Sequence, residues 1–349
     1  MIGVIFKTLK HSLSCTCMKL LKTATVFIAA CMLLASCKDK PEQKAAETTA
    51  AAPAVKVSTP DFNADSTYAD INTQVALGPR IPGSAAQKKC ADWMQGKLKK
   101  VCDTVYRQET KVIGGDGKQL PCYNLIGSIN PKAERRILFL THWDSRPWAD
   151  QDTKDQDKPI LAADDAASGV AMLLEVAKQI KSKGLSPDLG IDILFTDVED
   201  YGKTQWGENS YCLGTQYWAK NPHVPGYKAE FGILLDMVGA RNAQFPLEGF
   251  STEYASAEQQ MVWQAAGHAG YSSYFPYVQA GKITDDHVPV NEIIHIKTID
   301  IINLDVNSPK VFAPHWHTHA DNMDVIDKGT LKAVGQTLLQ VIYENAARA

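Results

Sequence analysis

Short apolar runs alternate with longer amphipathic stretches from about residue 61 onward. Four continuous apolar runs predict strands at 121–128, 136–141, 190–196 and 231–237. Apolar residues recur at helical spacing elsewhere, which predicts helices at 84–99, 169–183 and 328–345. Because continuous apolar strands separated by helices are typical of parallel sheets covered on both faces, we expect an α/β fold. The predicted architecture is a three-layer sandwich with a central, mostly parallel mixed sheet.

The N-terminal segment does not follow this pattern. Two lysines precede a short apolar run at 23–34, and Leu34-Ala35-Ser36-Cys37 follows it. This order is typical of a secretory signal and resembles the bacterial lipobox, whose cysteine carries lipid. The run is too short for a comfortable membrane span. We therefore expect residues 1–37 to be a lipoprotein signal segment, with lipid on Cys37 as the mature start. An ordinary secretory signal is the alternative, and the true start codon, Met1 or Met18, stays open.

Residues 38–60 are rich in Ala, Thr, Lys, Glu and Pro and contain no aromatic residue. A segment of this composition buries too little apolar surface to fold. We expect it to be a flexible tether that joins the lipid to a single domain at 61–349. The predicted product is an exported bacterial lipoprotein that is anchored to a membrane, on the periplasmic side or at the cell surface.

Composition and charge add few constraints. Hydrophobic residues make up 45% and charged residues 21% of the 349-residue chain, which is ordinary for a globular domain with a sizeable core. The formal net charge of -3 gives no reason to expect nucleic acid as a partner. Export permits disulfides, but the sequence does not determine how the domain's cysteines pair. These cysteines are Cys90, Cys102, Cys122 and Cys212. No Cys-x-x-Cys pair is present, so a cysteine zinc site is not expected.

A histidine and several acidic residues stand at the ends of the predicted strands. They are His142, Asp144, Glu199, Asp200 and Asp236. The carboxyl ends of parallel strands meet at one edge of an open sheet, where ligands bind. We therefore expect these side chains to converge. Carboxylates gathered in this way repel one another unless a cation holds them.

Two further segments supply possible metal ligands. Asp164 and Asp165 precede a predicted helix, and residues 315–319 read His-Trp-His-Thr-His. Zinc accepts imidazole nitrogen and carboxylate oxygen, and a catalytic zinc site keeps one position open. The two aspartates have the alternative role of capping the helix, and the histidines have that of binding metal adventitiously. The shared sheet edge favours a metal site.

The order of these motifs resembles the co-catalytic zinc aminopeptidase family over about residues 70–345. The segments that carry this resemblance are 77–84 (LGPRIPGS), His142-x-Asp144, 164–169 (DDAASG), Glu199-Asp200 and His317-Thr318. Within that family, other segments resemble the animal-type glutaminyl-peptide cyclotransferases, which also occur in bacteria. These segments are 142–147 (HWDSRP), 235–240 (LDMVGA), 285–289 (DDHVP) and 316–318 (WHT). The last two discriminate best between the two groups.

The resemblance implies a set of metal ligands. It places one zinc ion on Asp165, Asp200 and His317. Asp165 is preferred to its neighbour Asp164 because the family's ligand stands four residues before the glycine of a Ser-Gly pair. His142 and Asp144 are expected either to support these ligands or to bind a second metal.

The resemblance also implies catalytic roles. Glu199 matches the general base and acid, and Asp236 and Asp285 match its hydrogen-bonding carboxylates. The side chains expected to contact substrate are Trp206, Trp316 and Phe312. The animal enzymes have Glu-Glu where this chain has Glu199-Asp200, so the metal-ligating carboxylate is one methylene shorter here.

The implied reaction converts N-terminal glutamine of peptides and exported proteins to pyroglutamate and releases ammonia. It requires a deprotonated amine, a polarised amide carbonyl and a proton for the leaving nitrogen, which a zinc ion and Glu199 would supply. A two-zinc aminopeptidase is the alternative, because every ligand it needs is retained. A ligand-binding lipoprotein without activity is a third hypothesis, disfavoured because no catalytic position is lost. We expect the protein to act as a monomer.

Overall fold

The computed structural model describes residues 57–348. The predicted signal segment, Cys37 and most of the tether lie outside the described residues. The described strands are β1 (Thr104–Ile113), β2 (Gln119–Ile129), β3 (Arg135–His142), β4 (Leu189–Thr196), β5 (Phe231–Asp236) and β6 (Thr298–Ile302). The described α-helices are α1 (Ala64–Ala76), α2 (Ala85–Val101), α3 (Ala167–Lys183), α4 (Leu213–Lys220), α5 (Gly249–His268), α6 (His287–Pro289) and α7 (Lys328–Ala346).

The strands form one mixed sheet in the order β1-β2-β4-β3-β5-β6. β3 pairs parallel with both β4 and β5, and β5 pairs parallel with β6. β2 is antiparallel to β1 and to β4. The prediction of a mostly parallel mixed sheet is confirmed, and the antiparallel pairs lie at one edge.

Both faces of the sheet are covered, because successive side chains of a strand point to opposite faces. Phe139 of β3 packs into the larger core, which includes residues of α1, α2, α3, α5 and α7. Its neighbours Leu138 and Leu140 pack on the other face against Trp218 of α4 and against Val290. The three-layer architecture is therefore confirmed, and double burial explains why β3 is continuously apolar at 137–140.

Several elements were not predicted from the sequence. β1 carries polar residues at many positions because it is an edge strand with half-exposed side chains. β6 has only five residues, of which Thr298 and Asp300 are polar although they are fully buried. α5 has small and polar residues on most sides and a non-helical residue, Ala255, in its interior. Hydrophobic periodicity is weak in such elements.

The first described residues contact the domain. Gln336 Nε2 donates hydrogen bonds to Thr59 Oγ1 and to the carbonyl of Pro60, both at 3.0 Å. Lys183 Nζ donates to Ser58. Residues 58–60, which the sequence assigned to the tether, thus lie against α3 and α7.

The first turn of α3 approaches the sheet closely at Gly169. A Cβ atom at this position would lie 2.2 Å from Thr141 Oγ1 and 3.1 Å from the carbonyl oxygen of Leu235. These distances exclude a larger side chain without movement of the strands. Glycine therefore brings the start of α3 against the carboxyl ends of β3 and β5, and the loop that precedes α3 reaches the same edge.

The cysteines of the domain form no disulfide among the described residues. Cys90, Cys102, Cys122 and Cys212 are all free thiols in the structure. Within residues 57–348, no helix combines the length and the apolar character needed to span a membrane.

Candidate active site

The predicted site residues meet at the carboxyl edge of the parallel strands. His142 ends β3, Asp236 ends β5, and Glu199 follows β4. A cavity of about 70 Å³ lies between them. Its lining residues are Asp165, Glu199, Asp200, Tyr211, Asp236, Ile283, Thr284, Asp285, Ile302, Phe312, Trp316 and His317.

Asp165, Asp200 and His317 form a compact group of potential metal ligands. One donor atom from each lies within 4.8 Å of the others. His317 Nε2 is 3.4 Å from Asp200 Oδ1 and 3.8 Å from Asp165 Oδ2. Asp200 Oδ2 is buried and has no hydrogen-bond partner among the described residues. Two carboxylates and one imidazole suit zinc, whose catalytic sites use three protein ligands, and the unpaired oxygen of Asp200 is free to act as one of them.

The neighbouring Asp164 has a different role from Asp165. Its Oδ1 accepts from the backbone N–H of Gly239 at 2.7 Å, and its Oδ2 lies 2.9 Å from His315 Nε2. The backbone N–H groups of both aspartates donate to Asp321, at 2.7 and 3.1 Å. Neither aspartate caps α3, whose N-cap has no side-chain hydrogen bond. Asp164 therefore holds the loop in place, and Asp165 faces the cavity.

His142 links two of the acidic residues. Its Nε2 lies 2.8 Å from Asp165 Oδ1 and 3.3 Å from Asp236 Oδ1. Its Nδ1 lies 3.5 Å from Asp144 Oδ1. Burial would lower the pKa of His142, but the contacts with Asp144, Asp165 and Asp236 raise it well above its ordinary value. His142, Asp165 and Asp236 also form a second group with donor atoms within 4.8 Å.

Asp144 positions the Glu199-Asp200 pair. Its two carboxylate oxygens accept from the backbone N–H groups of Glu199 and Asp200, at 3.0 and 3.2 Å. Asp144 is fully buried. The His142-x-Asp144 motif thus connects β3 to the loop after β4.

Two of the acids around the cavity, Glu199 and Asp236, hold protons more tightly than in water. Burial raises the pKa of Glu199 well above its ordinary value. The charge of His142 lowers this pKa, whereas the negative charges of Asp200 and Asp285 raise it further. Burial and then the charge of Asp165 raise the pKa of Asp236 to about 7. A carboxyl group that titrates near neutral pH is suited to accept a proton and return it.

Residues 124–342 match the peptidase family M28. The chain belongs to this family. The glutaminyl-peptide cyclotransferase of Boiga irregularis is 28% identical over 249 residues, which are 63% of this chain and 65% of the relative. That of Bos taurus is 26% identical over 252 residues, with the same shares. The M28 protein therefore spans about 65% of the length of these curated relatives.

Solved structures cover the M28 protein more fully. The glutaminyl cyclase of Bacteroides thetaiotaomicron, bound to N-acetylhistamine, is 48% identical with a TM-score of 0.79, over 82% of this chain and 99% of that chain. The glutaminyl cyclase of Porphyromonas gingivalis is 46% identical with the same TM-score, over 81% and 99%. A Zn-dependent exopeptidase from Parabacteroides distasonis is 50% identical, again with a TM-score of 0.79, over 82% and 99%. The predicted resemblance to glutaminyl cyclases of the zinc aminopeptidase-like family is confirmed.

Aromatic side chains form one wall of the cavity in this M28 protein. Phe312 stacks on Trp316 with ring centroids 4.1 Å apart, and Trp316 stacks on the imidazole of His317 at 3.7 Å. Trp206 lies outside the lining residues and stacks on Tyr201 at 6.2 Å. Tyr211 lines the cavity instead, and nothing in its local sequence distinguishes it from other loop tyrosines.

Proposed function

We propose that this M28 protein is a glutaminyl-peptide cyclotransferase, which converts the N-terminal glutamine of peptides and exported proteins to pyroglutamate. The observation that carries the proposal is the group of three buried carboxyl groups around one small cavity, those of Glu199, Asp236 and Asp285. The stacked rings of Phe312 and Trp316 border the same cavity. The similarity to glutaminyl cyclases of known structure supports the same activity.

Cyclisation joins the α-amine nitrogen to the side-chain amide carbon and breaks the bond from that carbon to the amide nitrogen. Glu199 accepts a proton from the attacking amine and delivers it to the leaving nitrogen, which departs as ammonia. Because both reacting groups belong to one residue, holding the side chain bent supplies much of the acceleration. Phe312 and Trp316 favour that conformation and exclude water, whose attack would produce glutamate.

We further propose that Asp165, Asp200 and His317 hold one zinc ion. A zinc ion at this position supplies a Lewis acid for the side-chain carbonyl of glutamine. Both atoms nearest His142 Nε2, on Asp165 and Asp236, are carboxylate oxygens. We propose that this nitrogen carries a proton and donates it to these carboxylates, so that it does not bind a second ion. Burial raises the pKa of Asp236 to about 7 and raises the pKa of Asp285 well above its ordinary value, so both carboxyl groups near Glu199 take up protons more readily than in water.

A two-zinc aminopeptidase is the second candidate. His142, Asp165 and Asp236 are close enough to form a second metal group if His142 loses its proton. A solved relative is also described as a Zn-dependent exopeptidase. In that enzyme class, water replaces the amine as the nucleophile, and the product is a free N-terminal amino acid.

The test compares wild type with Glu199→Gln, and it measures ammonia, free amino acid and zinc on the same samples with a Gln-initiated peptide. The variant keeps its size and loses its basicity, so we expect it to retain zinc and to lose cyclisation by about a hundredfold or more. Near wild-type turnover would remove Glu199 from the mechanism. Loss of zinc together with activity would show that Glu199 is the metal ligand and Asp200 the proton shuttle. Release of glutamine without ammonia by the wild type would establish the aminopeptidase.

We also propose that the enzyme acts as a monomer, anchored to a membrane by lipid on Cys37 and exposed to exported substrates. The support is the lipobox-like segment and the tether composition of the residues after it. Cys37→Ser should release the domain from the membrane fraction or block its processing. Unchanged membrane association of that variant would contradict the anchor.

A further inference from the structure

Arg146 is a buried cation that contacts two loops of the site. Its Nε and Nη2 donate to Asp150 Oδ1 and Oδ2, each at 2.7 Å. Its Nη1 donates to Asp200 Oδ1 at 2.7 Å and to the carbonyl of Asp200 at 3.1 Å. The residue is 1% exposed. One guanidinium therefore joins the loop after β3 to the loop after β4.

Asp150 extends this connection to the loop after β6. Its Oδ1 lies 3.5 Å from His317 Nδ1. The backbone N–H of the next residue, Gln151, donates to the carbonyl of His317 at 3.2 Å. His317 has a φ of 54°, which is unfavourable for a residue with a side chain and needs support from its surroundings. The segment 150–151 supplies that support to both the backbone and the ring.

We propose that Arg146 and Asp150 form a clamp that positions two metal ligands, Asp200 and His317. Arg146 occupies Asp200 Oδ1 and leaves Oδ2 without a partner among the described residues. Asp150 Oδ1 lies 3.5 Å from His317 Nδ1, on the side of the ring opposite Nε2, which lies 3.4 Å from Asp200 Oδ1 and 3.8 Å from Asp165 Oδ2. Ligating histidines commonly donate their second N–H to a carboxylate in this way. The inference rests on the single-metal site of the proposed function and does not depend on the reaction.

The clamp also explains how a short ligand serves at position 200. The animal enzymes have a glutamate there, and the aspartate of this chain reaches one methylene less far. Because Arg146 binds both the side chain and the backbone carbonyl of Asp200, it fixes the backbone as well as the carboxylate. Lysine cannot replace it, since a single ammonium group does not reproduce the planar fork that spans Asp150 and Asp200.

The chain offers a matched control for each member of the clamp. Arg136 is also buried, and it binds Asp192 through two nitrogens at 2.6 Å, at the opposite end of β3 and β4. Asp152 belongs to the same turn as Asp150, but it binds the backbone and ring of His319, which is not a proposed ligand. If Arg146 and Asp150 only stabilised the fold, the control variants would change zinc affinity and stability in the same way as the clamp variants.

The experiment measures the zinc dissociation constant by competition with a chromophoric chelator, and the melting temperature of the metal-free proteins. We expect Arg146→Lys and Asp150→Ala to weaken zinc binding by about 10- to 100-fold. Arg136→Lys and Asp152→Ala should lower the melting temperature comparably and keep the dissociation constant within about twofold. Asp150 has a partly exposed side chain, so its variant tests the clamp even if Arg146→Lys folds poorly.

Two results would overturn the clamp alone. In the first, the wild type binds zinc tightly and both clamp variants bind it with unchanged affinity. In the second, the clamp variants and the controls lose affinity for zinc to the same extent. A wild-type protein without tightly bound zinc would overturn the ligand assignment and the clamp together. Tight, clamp-dependent zinc in a protein without cyclase activity would uphold the clamp and refute the proposed reaction.

Discussion

The thiol of Cys212 lies 3.4 Å from Glu199 Oε1, and its backbone N–H donates to the carbonyl of Glu199 at 3.0 Å. Cys212 is buried and has a φ of 54°. Burial and then the charge of Glu199 raise the pKa of the thiol well above its ordinary value. The thiol therefore keeps its proton and donates it to the carboxyl group that we propose as the proton shuttle.

Removal of this donor should slow turnover. Cys212→Ala removes the donor beside Glu199, and we expect kcat to fall about two- to tenfold, which corresponds to one lost hydrogen bond. Cys212→Ser restores a donor and should remain within about twofold of wild type. Cys90→Ala changes a core cysteine that lines no part of the cavity, and it controls for lost stability. Equal kcat values for the alanine and serine variants at position 212 would show that the thiol does not orient Glu199.

The part of the site that could be predicted from the sequence consists of residues at strand ends. His142, Glu199 and Asp236 follow apolar runs, and the topology of parallel strands brings such positions together whatever the loops do. The same reasoning applies to β3, β4 and β5, whose two buried faces leave a continuous apolar signal.

Several residues that support the site were not predicted, because their partners are distant in the chain. Arg146 binds Asp200 across 54 residues, and no local pattern marks that pair. Asp300 stands in a short buried strand, where a single acidic residue has no periodic signal. Trp206, which was expected to contact substrate, packs against Tyr201 and Trp148 and is not among the residues that line the cavity.

Metal content distinguishes the one-zinc and two-zinc sites. We expect about one zinc per wild-type chain after dialysis, and loss of most of it in His317→Ala, because one of three protein ligands is removed. His142→Ala should keep about one zinc, since His142 is not among the three proposed ligands, Asp165, Asp200 and His317. Elemental analysis of the three proteins decides the matter. Two zinc ions in the wild type and one in His142→Ala would favour the aminopeptidase.

Removal of the zinc should also lower stability. A ligand that binds only the folded state stabilises it by an amount that grows with the logarithm of the ligand concentration divided by the dissociation constant. Chelation should therefore lower the melting temperature of the wild type and leave that of His317→Ala nearly unchanged. An equal response of the two proteins would contradict the ligand role of His317.

Glu248 should make stability depend on pH in the acid range. It is fully buried, caps α5 through the backbone N–H groups of Phe250 and Ser251, and lies 3.1 Å from His287 Nε2. Burial would raise its pKa, but His287 and Ser251 lower it from 4.5 to about 2. A carboxyl group whose pKa is lowered by folding stabilises the folded state at pH values above its pKa in the unfolded chain. For Glu248 this contribution is about 3 kcal/mol, and it is lost as the pH falls from 4.5 towards 2.

Glu248→Gln should therefore reduce the free energy of unfolding by about 3 kcal/mol at pH 7, with a difference from wild type that shrinks below pH 4.5. Urea unfolding at pH 7, 4 and 2.5 measures this difference. Glu253→Gln provides the control, because Glu253 lies on the same helix with a side chain that is 51% exposed. A difference that stays constant over this range would show that Glu248 acts through its shape and not through its charge.

Asp300 should act as a neutral acid. It is fully buried on β6, and within the described part of the chain neither of its carboxyl oxygens has a hydrogen-bond partner, although His287 Nδ1 lies 4.0 Å from Oδ2. Its side chain lies within hydrogen-bonding reach of Asp285. Burial, and then the charges of Asp285 and Asp236, raise the pKa of Asp300 well above its ordinary value. We therefore predict that Asp300 is protonated in the active enzyme and shares its proton with Asp285, which borders the cavity.

This assignment predicts opposite results for two substitutions. Asp300→Asn keeps a donor of the same size and should retain kcat within about threefold, whereas Asp300→Leu leaves Asp285 unpaired and should lower kcat about tenfold or more. Asp192→Asn is the control for a charged buried acid, because Asp192 pairs with Arg136 and should lose stability on neutralisation. At high pH, the loss of the Asp300 proton places two charges together in the wild type, so its activity should decline where that of Asp300→Asn does not. Equal damage from asparagine and leucine, measured as kcat between pH 6 and 9, would show that position 300 requires an ionised carboxylate.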